Sequence, residues 1–314
     1  MPGVPGKPRI TVLGSMNMDL VVKVQGAPRP GETVRSEDFK MVPGGKGANQ
    51  AVGAARLGAE VHMVGRVGDD IFGETLIQNL KAAGVDAGRV RKDPEAGSGL
   101  ALITVDATGQ NSIVVALGAN NRVSPEDVDS ARDLIETSDA LIMQLEIPIE
   151  IVIYATQIAA GKGVPVILNP APARPVPDEL IKGAAFLIPN ESEASLLSGL
   201  AVEGRDEAAE AAMRLLQRGA RNVIITLGEK GALVANPGVS EFIAAYEVDA
   251  VDTTAAGDTF IGAFAVAYLK GSPVMDAARY ASAAASISVT RLGAQASMPT
   301  AGEVEAFLAR VRQA

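Results

Sequence analysis

Asp252-Thr253-Thr254-Ala255-Ala256-Gly257-Asp258-Thr259-Phe260 runs straight into Ile261-Gly262-Ala263-Phe264-Ala265-Val266-Ala267. The first stretch is small and polar and the second is apolar throughout, so the pair reads as a loop feeding the N-terminus of a buried helix. First-turn N–H groups of such a helix have no partner within it and favour negative charge. Ala255, Ala256 and Gly257 carry no bulk that would keep an anion away from the backbone. Asp258 stands beside that cradle, where an acid is a poor neighbour for an anion unless a proton must be accepted there. Two readings stay open: a hydroxyl gives its proton to Asp258 as it attacks phosphorus, or Asp258 only favours the helix start, as first-turn acids often do. The helix terminus should depress the pKa of Asp258 and leave it a weak base, which suffices if the hydroxyl proton leaves late.

Working outward, short apolar runs alternate with helical patterns. Strands are expected over 9–13, 61–64, 140–145, 165–168, 186–188 and 222–227, all rich in Val, Ile and Leu as buried parallel strands are. Helices are expected over 48–57, 72–83, 125–136, 149–160, 207–217, 257–269, 277–290 and 301–311. This alternation predicts an α/β fold, a doubly wound and mainly parallel sheet flanked by helices. Residues 20–24 and 33–42 instead alternate like exposed strands. Residues 100–105 and 112–116 read as a hairpin around Ala107-Thr108-Gly109-Gln110. These segments, about 20–42 and 98–117, are assigned to a small β-sheet lid on a single α/β domain spanning 1–314.

Composition narrows the function. The 314 residues are 47% hydrophobic and 21% charged, enough for a large core. No apolar run approaches the roughly 20 residues of a membrane span. Residues 1–7 lack the apolar centre of a signal peptide and read as a loose tail. Cysteine is absent, which removes disulfides, thiolate metal sites and cysteine nucleophiles. A cytoplasmic protein with no membrane partner is expected. A net charge of −9, 4% aromatics and no tryptophan argue against nucleic acid as a partner. A nucleotide could still be held by helix N-termini and a metal ion.

Other chemistry-bearing residues cluster at expected strand ends. Gly44-Gly45-Lys46-Gly47-Ala48-Asn49-Gln50 opens the first long helix, its glycines allowing a sharp turn and close backbone approach. It is neither a P-loop nor a dinucleotide fingerprint, and an ordinary glycine turn with an exposed lysine is the competing reading. Asn17 and Asp19 follow the first strand, and Glu146 follows another. Such positions face the crevice where open α/β sheets bind ligands, and a carboxylate there can accept from neighbouring sugar hydroxyls. Each could equally be a turn or cap residue. Asn190 and Glu193 have capping-box spacing, or could sit near a hydrated magnesium ion. Thr226-Leu227-Gly228-Glu229-Lys230-Gly231 is a strand end that could carry a nucleotide or be a plain hairpin turn. His62, the lone histidine, reads as structural. Asp69 and Asp70 read as turn and cap.

Taken together, these segments resemble the ribokinase-like (PfkB) carbohydrate kinases over nearly the whole chain. The resemblance is carried by 44–49 with 65–73, by 252–258, and by 14–19, Gln144-Leu145-Glu146, Asn169-Pro170-Ala171-Pro172-Ala173, 189–193 and 290–297 in order. It implies ATP-dependent phosphorylation of the 5-hydroxyl of ribose, with Asp258 as base and Ala255, Ala256 and Gly257 as the anion hole. By resemblance, Asn17, Met18, Asp19, Gly45, Lys46, Gly47, Asn49 and Glu146 form the sugar site. Asn190, Thr226, Leu227, Gly228, Glu229, Lys230, Gly231, Gly257 and Ser282 contact the nucleotide, and Glu193 is linked to Mg2+. Asp252, Thr254, Ser288, Arg291, Gly293 and Ser297 match a K+ site made mostly of backbone carbonyls. The lid implies a homodimer. Competing readings are a kinase for deoxyribose, fructose or adenosine, and a non-catalytic sugar-binding regulator.

Overall fold

The computed structural model describes residues 6–36, 38–108 and 110–312. Most of the expected tail, and Gly109 of the expected hairpin turn, lie outside them. The order opens with β1 (Arg9–Leu13), β2 (Asn17–Lys23), β3 (Asp38–Gly44), α1 (Lys46–Arg56), β4 (Glu60–Gly68), α2 (Ile71–Ala82) and β5 (Val85–Asp93). Next come β6 (Gly99–Val105), β7 (Asn111–Ala116), α3 (Pro125–Ser130), α4 (Arg132–Thr137), β8 (Ala140–Met143), α5 (Ile149–Gly161), β9 (Val166–Leu168) and α6 (Asp178–Gly183). The remainder is β10 (Phe186–Leu187), α7 (Glu191–Ser198), α8 (Arg205–Gln217), β11 (Val223–Thr226), β12 (Gly231–Asn236), β13 (Val239–Ala244), α9 (Ala256–Leu269), α10 (Val274–Ser288) and α11 (Ala301–Val311).

The main sheet has the order β13-β12-β11-β10-β9-β8-β1-β4-β5. Neighbours from β11 to β5 are parallel, and β12 and β13 close one edge antiparallel. Side-chain alternation splits the strands between two cores. Val12, Ile142, Ile167 and Ile224 face a core shared with α1, α9 and α10. Leu13, Leu141, Leu168 and Ile225 face the opposite core, with α5 and α8. Both faces are therefore covered, which is why these strands read as continuous apolar runs. From β1 the sheet grows through β4 on one side and β8 on the other, and that reversal opens a crevice at the strands' carboxyl ends.

A second sheet, β3-β2-β6-β7, forms the lid. Its β2–β6 pair is parallel and the flanking pairs are antiparallel. The strand expected over 33–42 pairs only from Asp38 and runs on to Gly44. Just before it, the Ser36 hydroxyl bonds the carbonyls of Lys23 and Asp38 instead of joining the ladder. The single helix expected over 125–136 is broken at Ala131. There the Ser130 hydroxyl returns to the Asp127 carbonyl, a competition that bends helices.

Candidate active site

The loop before α9 delivers Asp258 to the crevice. Ala255 caps the helix at φ 58°, and it is the only non-glycine residue with positive φ among those described. A Cβ added at Gly257 would meet nothing within 4 Å, so the backbone of this first turn faces open space. That space is a cleft of about 180 Å³, lined among others by Lys46, Asn190, Glu193, Thr226 and Ala255 to Asp258. The Asp258 carboxylate is only 6% exposed. Its Oδ2 accepts from Asn49 Nδ2 and its Oδ1 from Gln50 Nε2, each at 2.9 Å. The depressed pKa expected from the helix terminus is overturned. Burial pushes the group up and outweighs the opposing pull of Lys46 and of the two amides. Asp258 is thus a stronger base than the sequence alone suggests.

On the lid side, strand alternation turns Asn17 and Asp19 to one face of β2 and sends Met18 into the core at 2% exposure. The Met18 side chain is thus part of the core, in the cluster that also holds residues of α1 and α2. Gly45 caps α1 at φ 89°, and a Cβ on it would lie 2.6 Å from the Asn17 backbone nitrogen. Gly44 abuts the Asp19 carboxylate, 2.4 Å from a Cβ placed there. Gly45 is needed for α1 to start this close to β2, and Gly44 leaves room for the Asp19 carboxylate. Glu146 Oε2 accepts from the Ser15 hydroxyl at 2.5 Å and from the Lys46 N–H at 3.4 Å.

Charge converges here. Burial, then the nearby Glu146 and Asp258, raise the Asp19 pKa from 3.8 to about 7. Burial would pull Lys46 down, but Asp258, Glu146 and Glu193 outweigh it and hold the ammonium above its ordinary value. Burial likewise raises Glu193. One cation thus stands among four carboxyl groups, an arrangement suited to bringing an anion up to a hydroxyl held by acceptors.

Opposite, Asn190 and Glu193 do form the capping box of α7, Asn190 Oδ1 accepting from the Glu193 N–H and Glu193 Oε2 from the Asn190 N–H. Both also line the cleft. Thr226 bridges to Asn190 and lines it too. The segment after Thr226 is a hairpin into β12. In it the Leu227 side chain is buried in the core. Gly228 has φ 53°, Glu229 and Lys230 are exposed, and Lys230 Nζ donates to the Glu203 carbonyl. Gly231 is fixed by β13, since a Cβ on it would lie 2.0 Å from the Ile243 oxygen. Ser282 is buried midway along α10 and is not part of the cleft lining.

The two loops matched to a cation site are joined. Asp252 Oδ2 accepts from the Gly293 N–H at 2.8 Å, and Oδ1 from the Thr254 N–H and hydroxyl. Val251 and Asp252 N–H groups both reach the Val289 carbonyl. The hydroxyls of Ser288 and Ser297 donate to carbonyls of their own turns, and Arg291 pairs with Glu303. Oxygen ligands from this set would thus be largely carbonyls. Among the described residues no group of three His, Asp or Glu is placed to hold a metal ion. A hydrated magnesium ion held mainly by phosphates and one carboxylate fits Glu193 without such a group.

Several buried polar residues at the site carried no role in the sequence reading. Gln50, Gln144, Asn169, Asn120 and Gln295 are all buried. Asn120 Nδ2 donates to Asn17 Oδ1, and Gln295 Nε2 to Asn49 Oδ1. The available signal was their position: Gln50 directly follows Asn49 in the helix opened by the glycines, and Gln144 ends a strand beside Glu146.

A carbohydrate-kinase family model, described as pfkB family carbohydrate kinase, matches residues 7–301. The chain belongs to this family. It is an ATP-dependent sugar kinase. It is 44% identical to the ribokinase of Haemophilus influenzae, covering 95% of this chain and 98% of that one. It is 40% identical to the deoxyribokinase of Salmonella typhi, with 95% and 98% covered. A solved structure of Arabidopsis thaliana ribokinase complexed with ribose and ATP superposes with a TM-score of 0.89 at 34% identity, covering 96% and 99%.

Proposed function

We propose that this kinase transfers the γ-phosphoryl group of ATP to the 5-hydroxyl of D-ribose, with Asp258 as the base. The observation that carries the reading is the Asp258 carboxylate, buried between the polar lid face and the open first turn of α9. Sugar hydroxyls are accepted by Asp19 and Glu146 and met by the amides of Asn17 and Asn49, with Lys46 beside them. Asp258 takes the proton of the attacking hydroxyl as phosphorus is approached. The first-turn backbone of α9 at Gly257 stabilises charge on the transferring phosphoryl oxygens, with the fixed orientation that makes such stabilisation effective, while the Ala256 N–H is taken by the Thr253 carbonyl and holds the turn in shape. The nucleotide lies over Asn190, Thr226 and the Gly228–Gly231 backbone. Glu193 would hold magnesium through water, and the ion neutralises phosphate charge when bound. Carbonyls of the loops around Asp252 and Gly293 would hold potassium, which orders the anion-hole loop. The relatives named ribokinase, one of them bearing ribose and ATP, support this reading.

A second reading is favoured by the similarity to two deoxyribokinases at nearly the same identity and coverage. It differs by one hydroxyl of the substrate. ATP consumption with ribose, deoxyribose, fructose and adenosine, with and without potassium at constant magnesium, tests both. Highest kcat/KM on ribose, with stimulation by potassium above that by sodium, is expected. Preference for deoxyribose would select the second reading, and no effect of potassium would remove the cation from the account.

The lid exposes Phe39, Met41, Leu102, Ile113, Val114 and Val115. Its edge strands β3 and β7 are also unpaired on their outer sides. A monomer would leave this apolar sheet in water, and a second copy of the same lid would cover it.

A further inference from the structure

Asp258 is held from behind by a directed chain of amides. Gln50 Nε2 donates to Asp258 Oδ1 at 2.9 Å and to Asn169 Oδ1 at 3.2 Å. Because its nitrogen faces the carboxylate, the Gln50 oxygen faces away. There it accepts from Gln144 Nε2 at 2.6 Å. That bond in turn fixes the Gln144 amide, whose Oε1 is left as the one buried side-chain polar atom without a hydrogen-bond partner among the described residues. An orphaned buried acceptor is costly. Its presence follows from the polarity of the chain: a carboxylate at one end requires donors pointing toward it, and the deficit emerges at the other. Gln50 and Gln144 are both 0% exposed, so bulk solvent does not reach them. The backbones are equally constrained. Gly262 of α9 lies so close to α1 that a Cβ on it would be 2.9 Å from the Ala54 backbone nitrogen and 3.0 Å from the Gln50 backbone carbonyl oxygen.

We propose that Gln50, with Gln144 behind it, is a positioning residue that holds the Asp258 carboxylate aimed into the cleft and in its proton-accepting form. The proposal rests on Asp258 being the base. A carboxyl group that is not ionised has a proton to donate and would conflict with two donors aimed at its two oxygens. Each amide N–H therefore favours the ionised form against burial. The other charged groups facing Asp258 are Lys46 from α1, Glu146 beyond β8, Glu193 from α7 and Asp19 from β2. The acid limb of the rate profile therefore belongs to this coupled set. Loss of one donor should move that limb in a definite direction, toward higher pH.

The test is the pH profile of kcat at saturating ribose and ATP for wild type, Gln50→Met, Gln144→Leu and Asp258→Asn. Gln50→Met should shift the acid limb up by about one pH unit and lower kcat near neutrality about tenfold, the size expected for one hydrogen bond to a charged group. KM for both substrates should change by less than about twofold, since Gln50 touches the base and not the ligands. Gln144→Leu should shift the limb the same way by less, and should add nothing in the Gln50→Met background. A merely structural role would lower Tm and leave the limb in place. A folded Gln50→Met enzyme with the wild-type limb and kcat overturns the proposal. If that variant does not fold, an unmoved limb in Gln144→Leu overturns it instead. Asp258→Asn separates the two levels: if it keeps turnover, the assignment of the base fails and this proposal with it. If Asp258→Asn is inactive while Gln50→Met behaves as wild type, only the proposal falls.

Discussion

Asp19 shows how one residue can be set by its surroundings. It lies half-buried beside Glu146 and Asp258, and its carboxyl is pushed from 3.8 to about 7. Between those values the folded chain binds more protons than the unfolded one, so this group makes stability fall as pH rises through the window. The sugar-free protein should therefore lose more thermal stability between pH 5 and 8 than Asp19→Asn does. Equal pH dependence of the two melting curves would contradict the placement of Asp19 among like charges. The same side chain should discriminate sugars. Removing one partner of a buried polar contact costs about 1–3 kcal/mol, or roughly 5- to 150-fold. Asp19→Ala should weaken ribose far more than ATP and narrow the ribose-to-deoxyribose ratio in kcat/KM. An unchanged ratio in a folded variant would remove Asp19 from the sugar site. Asn17, Asp19, Lys46 and Asn49 stand out in the sequence as candidates because they sit at strand ends and at a glycine-rich helix start. Gln50 and Gln144 were visible but mute, since a glutamine's role depends on which way its amide is turned, and the neighbours that turn it lie 208 and 94 residues away from Gln50. The direction of the Asp258 shift was misjudged for a related reason: the helix terminus is local, whereas burial comes from the whole fold.

Among the elements, the first turn of α9 joins structure to chemistry. Ala255 adopts a left-handed conformation that costs a non-glycine residue about 1–2 kcal/mol. Glycine would relieve that strain but would add about 0.5–1 kcal/mol of chain entropy to be lost on folding. Ala255→Gly should therefore leave Tm unchanged or slightly raised, while loosening the cradle and lowering kcat several-fold with little change in KM. A variant with raised kcat would show that the rigidity of this turn is not used. The helix and its loop were legible from the contrast between a polar small-residue stretch and an apolar run. The long parallel strands were legible as continuous apolar runs. β5 was not, because its exposed positions carry Asp86, Arg91 and Lys92 and, with the half-buried Arg89, break the apolar pattern. β12 and β13 were missed as well, as a Gly-led strand and a mostly exposed edge strand offer little periodicity. Only the start of that hairpin, after Thr226, was read as a turn.

For the whole molecule, the lid sheet lies beside the crevice, and the residues of β2 belong to both. Asn17 pairs with Gly44 and Gly99 in the lid while its side chain reaches the site. Ile113 and Val115 share the face of Asn17 and Asp19, whereas Leu102 and Val114 lie on the opposite one, so assembly over the first face would touch the proposed sugar site directly. The protein should be a dimer by light scattering at micromolar concentration, and Val115→Lys, in the cross-strand row of Asp19, should yield a monomer with a raised KM for the sugar. A wild-type monomer at that concentration would contradict the covered-lid account. The central claim concerns Asp258, and it is tested most directly by ribose-dependent ADP formation in wild type and Asp258→Asn, measured side by side with ribose and ATP binding. A general base typically contributes about 10²–10⁴-fold. The account predicts at least that loss in kcat with both ligands still bound, whereas a variant keeping more than about a tenth of wild-type kcat would contradict it.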